Sequence, residues 1–292
     1  MVMAVTGRAI RARRKGDAMS VFTPLLRRAV NVLPVSARAR IGRMPVVGAL
    51  QRRIVTHLSG TPFLHTINAG PARGLRIEVT LPRDKAIWAG TYEQVFASAL
   101  REGVAPGDVC YDIGGYRGYT AGVFALAGAK SVVVCEPLPG NIAALQQLVQ
   151  LNPSLPIVIE AFAAGQHDGS TKFRIMPDKS MGKMISSPFQ PDRAYQSEID
   201  VNVVRVDTLV FERGLPPPNV MKVDVEGAEL EVLNGAERTL RELRPKVYLE
   251  AHTEALAAQC SARLRTFGYH THQFEPEPLR PRQTRHILAV AH

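Results

Sequence analysis

The chain has 292 residues, three cysteines and a formal net charge of +10 at pH 7. That length suits one α/β domain with an extension, and three cysteines provide no disulfide framework. Twelve of the 36 basic residues but only one of the 26 acidic residues lie in residues 1–60, so the remainder is nearly neutral. Proteins that act on nucleic acid more often carry positive charge around their cleft, so no nucleic-acid partner is expected.

The basic N-terminal extension, residues 1–60, has two stretches with apolar residues at helical spacing, beginning at Phe22 and at Val46. These amphipathic helices either pack on the following domain or make peripheral contact with an anionic membrane surface. We favour packing, because most amphipathic helices face their own protein. No apolar run has the length of a signal peptide or a membrane span, and a cytoplasmic location is expected. The Arg-rich opening is interpreted as a tail, or as translated sequence before a start at Met19.

Residues 61–292 form the predicted main domain, which opens with hairpin material around the alternating run 75–79. Core strands are predicted at 109–113, 131–136, 156–161, 220–224 and 246–252, and helices at 91–102, 118–127, 139–151, 228–242 and 253–266. This alternation predicts an α/β fold with a Rossmann-like, mostly parallel sheet and helices on both faces. A closing hairpin at 269–274 and 286–290 predicts an antiparallel C-terminal edge.

Between the third and fourth core strands, the segments 172–175 and 199–206 predict an added antiparallel pair. The intervening residues 176–197 are polar, contain three prolines and show no clear periodicity. A long loop without secondary structure inside a compact domain is usually functional or disordered. We interpret it as a lid over a substrate.

The strand 109–113 breaks into the sequence Asp112-Ile113-Gly114-Gly115-Tyr116-Arg117-Gly118 and then into a helix. Loops that bind dinucleotides place glycines around a pyrophosphate, which a carboxylate at Asp112 would repel. The same carboxylate suits a ligand with an amino group and a sulfonium, and this chemistry indicates S-adenosylmethionine. Gly114 and Gly115 allow close backbone approach, whereas Gly118 allows the helix to pack against the strand. The alternative is that the glycines serve only the turn.

The second core strand ends in Glu136, 18 residues beyond Gly118. A carboxylate at that distance, one strand over, is suited to bind the two hydroxyls of a ribose. The alternative is a surface carboxylate at the end of a strand. Together the loop and Glu136 predict a cofactor that contains adenosine.

The carboxyl ends of two later strands carry Asp224 and His252. Open parallel sheets bind ligands at this edge, so both side chains are candidates for catalysis. His252 is placed to accept a proton from a substrate hydroxyl, or it serves only as a hydrogen-bonding group. Glu226 and Glu229 follow Asp224 closely, and either contributes to a site or interacts with a helix dipole.

Cysteines and histidines give no sign of a metal site. Cys110 and Cys135 lie within apolar strands, where a buried thiol is the ordinary interpretation. His270 and His272 lie two residues apart on a predicted strand, but no third ligand follows at a convincing spacing. We expect no bound metal.

Three segments resemble the FkbM family of S-adenosylmethionine-dependent methyltransferases, over roughly residues 90–255. They are the glycine loop 112–118, the segment Val134-Cys135-Glu136-Pro137 followed by Asn141, and the segment 221–236, which begins Met-Lys-Val-Asp-Val-Glu-Gly-Ala-Glu. The third is the most specific, and the first two alone indicate only a class I methyltransferase. The resemblance implies O-methylation of a hydroxyl on a sugar, polyketide or similar small molecule, without a required metal.

The resemblance also implies roles for individual residues. It implies that Asp112, Gly114 and Glu136 bind the cofactor, with the backbone near Phe162 beside the adenine, and we predict that Gly115, Gly118 and Pro137 contact it as well. A sugar or aliphatic hydroxyl has a high pKa, so we predict that His252 or Asp224 acts as the general base, and that Glu226 and Tyr116 contact the substrate. The family commonly has a small residue and then Asn where this chain has Gly115 and Tyr116, so Tyr116 is expected to fill part of a pocket.

Two other functions fit parts of the sequence. One is an RNA methyltransferase that binds RNA through the basic extension, which the neutral main domain disfavours. The other is a non-catalytic binding module with the same fold, in which Tyr116 blocks the cofactor pocket.

Overall fold

A computed structural model of the chain describes residues 60–175, 182–184, 195–274 and 285–291. The predicted helices of the N-terminal extension and most of the predicted lid lie outside these residues. Within the described part of the chain, no helix is both long enough and apolar enough to cross a membrane.

Thirteen strands and eight helices are described, and they are numbered here in chain order. The strands are β1 Pro62–Thr66, β2 Arg76–Thr80, β3 Val109–Ile113, β4 Ser131–Cys135, β5 Ile157–Glu160, β6 Ala163–Ala164, β7 Gly169–Ile175, β8 Gly182–Met184, β9 Ser197–Val204, β10 Val220–Val223, β11 Lys246–Ala251, β12 Tyr269–Phe274 and β13 Arg285–Ala291. The helices are α1 Lys85–Ala89, α2 Gln94–Gly103, α3 Tyr119–Ala127, α4 Pro139–Leu151, α5 Val206–Phe211, α6 Glu229–Gly235, α7 Glu237–Glu242 and α8 Glu254–Thr266.

Seven strands form the central sheet in the order β12-β13-β11-β10-β3-β4-β5. The five strands from β11 to β5 are parallel, and β13 pairs antiparallel with β11 and with β12. The predicted Rossmann-like, mostly parallel α/β sheet is therefore confirmed. The predicted closing hairpin is also present, but its second strand lies next to β11, so β12 forms the outer edge.

Both faces of the sheet are covered, which explains why β3 and β10 are buried at every position. One face packs against α5, α6, α7 and α8, around Tyr111, Met221 and Leu249. The other face packs against α2, α3 and α4, around Leu100 and Phe124. Alternate residues of a strand face opposite layers, so Asp112 and Lys222 lie on the side that α2, α3 and α4 cover.

A second, four-stranded sheet has the order β6-β9-β7-β8. It contains the predicted antiparallel pair as β7 and β9, but β9 ends at Val204 and α5 begins at Val206. The prediction that 176–197 lacks secondary structure is wrong at Gly182–Met184, which pair with β7 as β8. The predicted helix 228–242 is two helices, because the chain turns at Ala236 between α6 and α7.

The order of the strands reverses beside β3. The chain passes from β3 outward to β4 and β5, and then returns to place β10 on the opposite side of β3. Ligands of open α/β sheets bind at the carboxyl ends of the strands at such a switch point. The loop after β3 and the turn after β10 are therefore the elements that build the candidate site.

Candidate active site

The loop after β3 is folded against its own protein. Gly114 has φ +83°, and a β-carbon there would overlap the carbonyl oxygen of Asp224. A β-carbon at Gly115 would overlap the Val134 side chain of β4. The amides of both glycines donate to the Cys135 carbonyl, at 2.9 and 3.2 Å. These glycines thus join the end of β3 to the ends of β4 and β10.

Gly118 has a packing role that differs from the prediction. Its α-carbon faces Leu145 and Leu148 of α4, and a β-carbon would lie 2.8 Å from Leu145 Cδ2. Gly118 therefore allows α4 to approach the loop, rather than allowing α3 to approach its strand. No contact at Gly118 by itself indicates a cofactor.

Tyr116 adopts a left-handed backbone conformation with φ 48°. Its amide donates a 2.9 Å hydrogen bond to Glu136 Oε2. Left-handed conformations are costly for most residues but are tolerated by Gly and Asn. The Asn that the family commonly has at this position is therefore explained by the backbone, and Tyr116 keeps the conformation despite its larger side chain, which is half-buried.

Glu136 lies just past β4 and is buried, with three donors directed at its carboxylate. Oε1 accepts from the Leu138 amide at 2.9 Å and from Asn141 Nδ2 at 3.2 Å, while Oε2 accepts from Tyr116. Burial raises the pKa of Glu136 to about 7, although these hydrogen bonds act in the opposite direction. Pro137 follows it and is half-buried. A carboxylate can accept about four hydrogen bonds, so Oε2 can accept another donor.

Phe162 lies after β5, beyond the next strand from Glu136. Its ring is buried in the core, with the Arg213 guanidinium carbon 5.5 Å from the ring centroid. Its amide donates to the Glu160 carbonyl at 3.0 Å. The prediction that the backbone here lies beside an adenine stays a prediction.

Lys222 links the two halves of the site. It lies opposite Asp112 in the pairing of β10 with β3, and its ammonium donates to the Gly114 carbonyl at 2.7 Å. Nζ is 3.2 Å from Asp112 Oδ1 and 3.2 Å from Asp224 Oδ2. Although burial disfavours the charged form, the two carboxylates raise the pKa of Lys222 well above its usual value. Lys222 is therefore a buried cation shared by two acids.

Asp112 has a partner within the protein that sequence analysis did not predict. Its side chain is 0% exposed, so the carboxylate is not presented to solvent. The cation beside it is Lys222 of the same chain. In this structure Asp112 shapes the site by fixing Lys222, and its predicted contact with the cofactor stays a prediction.

His252 lies just beyond β11, within a group of three acids. Nδ1 is 2.8 Å from Oε1 of Glu229, which is fully buried and also accepts from the Gly227 amide at 3.0 Å. On the other side of the ring, Nε2 lies 3.6 Å from Asp224 Oδ1 and 3.4 Å from Glu226 Oε2. The predicted residues Asp224, Glu226 and His252 are thus brought together at one edge of the sheet.

These neighbours determine the charges in the group. Burial alone would lower the pKa of His252, but the hydrogen bond to Glu229 and the three acidic charges raise it to about 10. Burial disfavours the ionised form of Asp224 as well, yet Lys222 and His252 lower its pKa below the usual value. Burial raises the pKa of Glu226 to about 7, and His252 only partly offsets it. Near neutral pH, His252 is therefore an imidazolium.

One ligand atom from each of Asp224, Glu229 and His252 lies within 4.8 Å of the others, a spacing that can accommodate a cation. A hydrogen bond of 2.8 Å already joins two of them, Glu229 and His252. That the protein works without a metal stays a prediction.

The sequence left the role of one acid open and gave no sign of another. Glu229 was predicted either to contribute to a site or to interact with a helix dipole, and its carboxylate is hydrogen-bonded to both His252 and the turn after β10. Glu93 precedes α2 in a left-handed conformation with φ 42°. Burial, followed by the charges of Glu250 and Asp224, raises the pKa of Glu93 to about 7. Nothing local in the sequence distinguishes Glu93 from a surface acid.

Residues 112–271 match the family described as Methyltransferase FkbM domain, which is more than half of the chain. This chain belongs to the FkbM methyltransferase family. The match includes the glycine loop, Glu136, the turn after β10 and His252, and it leaves out Glu93 and the hairpin of β1 and β2.

Two curated relatives are methyltransferases. The hexuronic acid methyltransferase AglP of Haloferax volcanii is 28% identical over 160 residues, which span 55% of this chain and 62% of AglP, less than two thirds of its length. The 31-O-demethyl-FK506 methyltransferase FkbM of Streptomyces tacrolimicus is 27% identical over 64% of this chain and 84% of that protein. A solved FkbM methyltransferase from Methylobacillus flagellatus aligns with 69% of this chain and 52% of its own, at 18% identity and a TM-score of 0.47.

Replacing Lys222 with Met is expected to lower the free energy of unfolding by about 3 kcal/mol or more, because Asp112 then stays buried without a compensating charge. Urea denaturation measures the change. Lys246→Met on the exposed start of β11 is the matched control, with an expected effect within about 0.5 kcal/mol. Adding Asp112→Asn to Lys222→Met should recover part of the loss. A loss below about 1 kcal/mol for Lys222→Met would show that the bridge contributes little.

Two substitutions that both remove the Tyr116 ring test the left-handed backbone. Tyr116→Asn is expected to be more stable than Tyr116→Ala by about 1 kcal/mol, because Asn tolerates this conformation better. Urea denaturation of the two variants gives the difference directly. Equal stability, or a more stable Ala variant, would contradict the explanation.

Proposed function

We propose that this FkbM-family protein is an S-adenosylmethionine-dependent O-methyltransferase that acts on a hydroxyl of a small molecule, sugar or polyketide-like metabolite. Family membership supports methyl transfer, and the substrates in the names of its relatives AglP and FkbM support a sugar or polyketide acceptor. The observation that carries the proposal is the meeting of Glu136, the loop after β3 and the acidic turn after β10 at the switch point of the sheet.

The residues at this edge fit the proposed cofactor. Glu136 is a buried carboxylate whose Oε2 can accept a further hydrogen bond, as a ribose hydroxyl requires. Tyr116 and Leu138 fix its orientation through their amides. When bound, S-adenosylmethionine would supply a methyl group on a sulfonium, for displacement in line by the acceptor hydroxyl. We propose that Glu136 and the backbone from Gly114 to Tyr116 hold it.

A carboxylate is the best candidate for the general base. An imidazolium at His252 has no lone pair with which to accept a proton, so we revise the sequence-based hypothesis for this residue. Asp224 and Glu226 retain side-chain exposures of 26% and 29%, whereas Glu229 is fully buried. An acceptor can therefore reach the first two only.

Of these two acids, Glu226 is the better base. An efficient general base has a pKa near the working pH, and the pKa of Glu226 is about 7, whereas that of Asp224 is lowered. We propose that Glu226 accepts the proton of the acceptor hydroxyl. His252 positions Glu226 and Asp224 through its charge, and Glu229 orients the imidazole ring.

The affinity for a ribose ligand is expected to rise about tenfold from pH 6 to pH 8. A raised pKa means that Glu136 is protonated below about pH 7, and ribose hydroxyls donate best to its ionised form. 5′-Deoxy-5′-methylthioadenosine is a suitable probe, because it lacks the titrating amino acid portion of the cofactor. Calorimetric titration at several pH values gives the dissociation constants.

Glu136→Gln should bind this probe more weakly and without the pH dependence, while Glu102→Gln, at an exposed carboxylate on α2, should match the wild type. Thermal melts establish that both variants fold. A wild-type affinity that is flat between pH 6 and pH 8 would argue against Glu136 as the ribose ligand.

Glu226→Gln is expected to lower kcat by about 100-fold and to leave S-adenosylmethionine binding within about twofold, because a general base acts on the acceptor. Formation of S-adenosylhomocysteine, first screened across hydroxylated sugars and polyketide-like acceptors, measures turnover. In the wild type, kcat should rise with pH and level off above about pH 7. This rise of kcat with pH should be absent in Glu226→Gln.

Asp224→Asn and His252→Asn complete the test, and both should lower kcat through the placement of Glu226. Unchanged turnover in all three variants would show that the residues at this edge take no part in the mechanism. A loss of turnover in His252→Asn alone would indicate that His252 is the general base.

A further inference from the structure

The glycine loop 112–118 is attached to a part of the chain that precedes it. Arg117 belongs to this loop, and its side chain is only 10% exposed. Its Nη1 donates to Asp84 Oδ2 at 2.9 Å, and its Nη2 donates to the Glu78 carbonyl at 3.0 Å. A planar guanidinium that donates to two fixed acceptors is held in one orientation. Arg117 therefore joins the loop to β2 and to the residue that precedes α1.

Asp84 is an ionised and oriented acceptor for this arginine. Its side chain is 4% exposed, and Oδ2 also accepts from the Thr80 amide at 2.7 Å. Oδ1 accepts from Arg83 Nε at 2.9 Å. Burial alone would raise the pKa of Asp84, but the hydrogen bonds from Arg83, Arg117 and Thr80 lower it below its usual value. The pair between Arg117 and Asp84 is therefore a buried ion pair near neutral pH.

The hairpin of β1 and β2 is fastened to the domain at a second place, on α4. Asn152 Nδ2 donates to the Arg76 carbonyl at 2.7 Å, and Asn152 Oδ1 accepts from the Arg76 amide at 3.0 Å. Gln147 Nε2 donates to Glu78 Oε2 at 3.0 Å. The hairpin is thus held independently of Arg117, and it provides the loop with a fixed support.

The residue before Arg117 attaches the loop in the other direction, to Glu136. The Tyr116 amide donates to Glu136 Oε2 at 2.9 Å, and Tyr116 has the left-handed φ of 48°. Such a backbone conformation is unfavourable for a residue with a large side chain, and it persists only where the surrounding structure enforces it. Two adjacent residues with opposite attachments, Tyr116 and Arg117, provide this enforcement.

We propose that Arg117 and Asp84 form a positioning pair, which holds the loop after β3 in the conformation that binds the cofactor. This inference rests on the proposed function. Neither residue of the positioning pair touches the cofactor, since Arg117 acts through Tyr116, whose amide orients Glu136. A binding group that is ordered in advance raises affinity, because less ordering remains to be done on binding. The residues 62–84 thus become part of the cofactor site, although they lie ahead of the family segment.

Hydrogen exchange of the unliganded protein tests the attachment directly. Arg117→Met removes both hydrogen bonds and keeps an unbranched side chain. Asp84 retains Arg83 and Thr80 as donors, so this variant is expected to fold. Because the loop should open more often, exchange in peptides that span residues 114–118 is expected to be about tenfold faster than in the wild type. Mass spectrometry of these peptides gives the rates.

Affinity for 5′-deoxy-5′-methylthioadenosine tests the consequence for the site. Calorimetry should show a loss of about tenfold in Arg117→Met and in Asp84→Asn. The double variant should be no weaker than the weaker single variant, because the two residues act as one unit. Arg117→Lys should lose less, since an ammonium can keep one of the two hydrogen bonds. With S-adenosylmethionine, KM should rise while kcat at saturation stays within about threefold, because bound cofactor restores the loop.

The matched control is Arg263→Met on α8, which packs on the opposite face of the sheet. Arg263 donates to Glu237 and to Asn234, both at 2.8 Å, so the variant also removes an ion pair and a second hydrogen bond. Thermal melts show how much stability each variant loses. Arg263→Met should leave the exchange of the loop and the affinity for the probe at the wild-type level.

Two results would overturn the proposal. One is unchanged loop exchange or unchanged affinity in Arg117→Met, and the other is an equal change in Arg263→Met, because either would leave the positioning pair with a purely structural role. Failure of the proposed function is a separate result, since the wild type would then bind neither the probe nor S-adenosylmethionine, whatever the exchange rate of the loop.

Discussion

The ion bridge centred on Lys222 sets the arrangement of the whole edge. It joins Asp112 at the end of β3 to Asp224 just after β10, and it also holds the Gly114 carbonyl. A buried ammonium with two carboxylates is stable only when the geometry satisfies all three groups. The bridge therefore fixes the loop after β3 against the turn after β10. Since Gly114 lies in contact with Asp224, only a residue without a side chain fits at that junction.

A second ion pair extends this arrangement to β11. Glu229, in the first turn of α6, accepts from the turn amides and pairs with His252. The protonated ring in turn lies beside Asp224 and Glu226. The acids from Asp112 to Glu226 thus lie along three neighbouring strand ends, with two cations between them. Burial and the neighbouring acids raise the pKa of Glu226, the last carboxylate of this series, to about 7 despite the charge of His252, and for this reason we assign it the proton transfer.

Much of the fold was predictable, because its signals are local. The strand before the loop was predicted at 109–113, as observed, and α8 begins one residue later than predicted and ends where predicted. Apolar runs and helical periodicity arise from neighbours in the sequence, and each glycine or proline acts within a few residues. The predictions that were wrong concern longer-range pairing. Met176 to Ser197 is polar, yet Gly182–Met184 forms an edge strand because β7 offers free backbone groups.

For the site, the sequence determined which residues carry the chemistry, since acids and glycines at strand ends must meet at one edge of a parallel sheet. It also placed Glu136 one strand from the glycine loop. Only the tertiary structure decided the partners: Lys222 reaches Gly114 across 108 residues, and His252 reaches Glu229 across 23. Protonation follows from those partners, because burial and neighbouring charges set a pKa and neither can be read from local sequence. The raised pKa of Glu93 has the same origin, since it follows from burial and from the charges of Glu250 and Asp224.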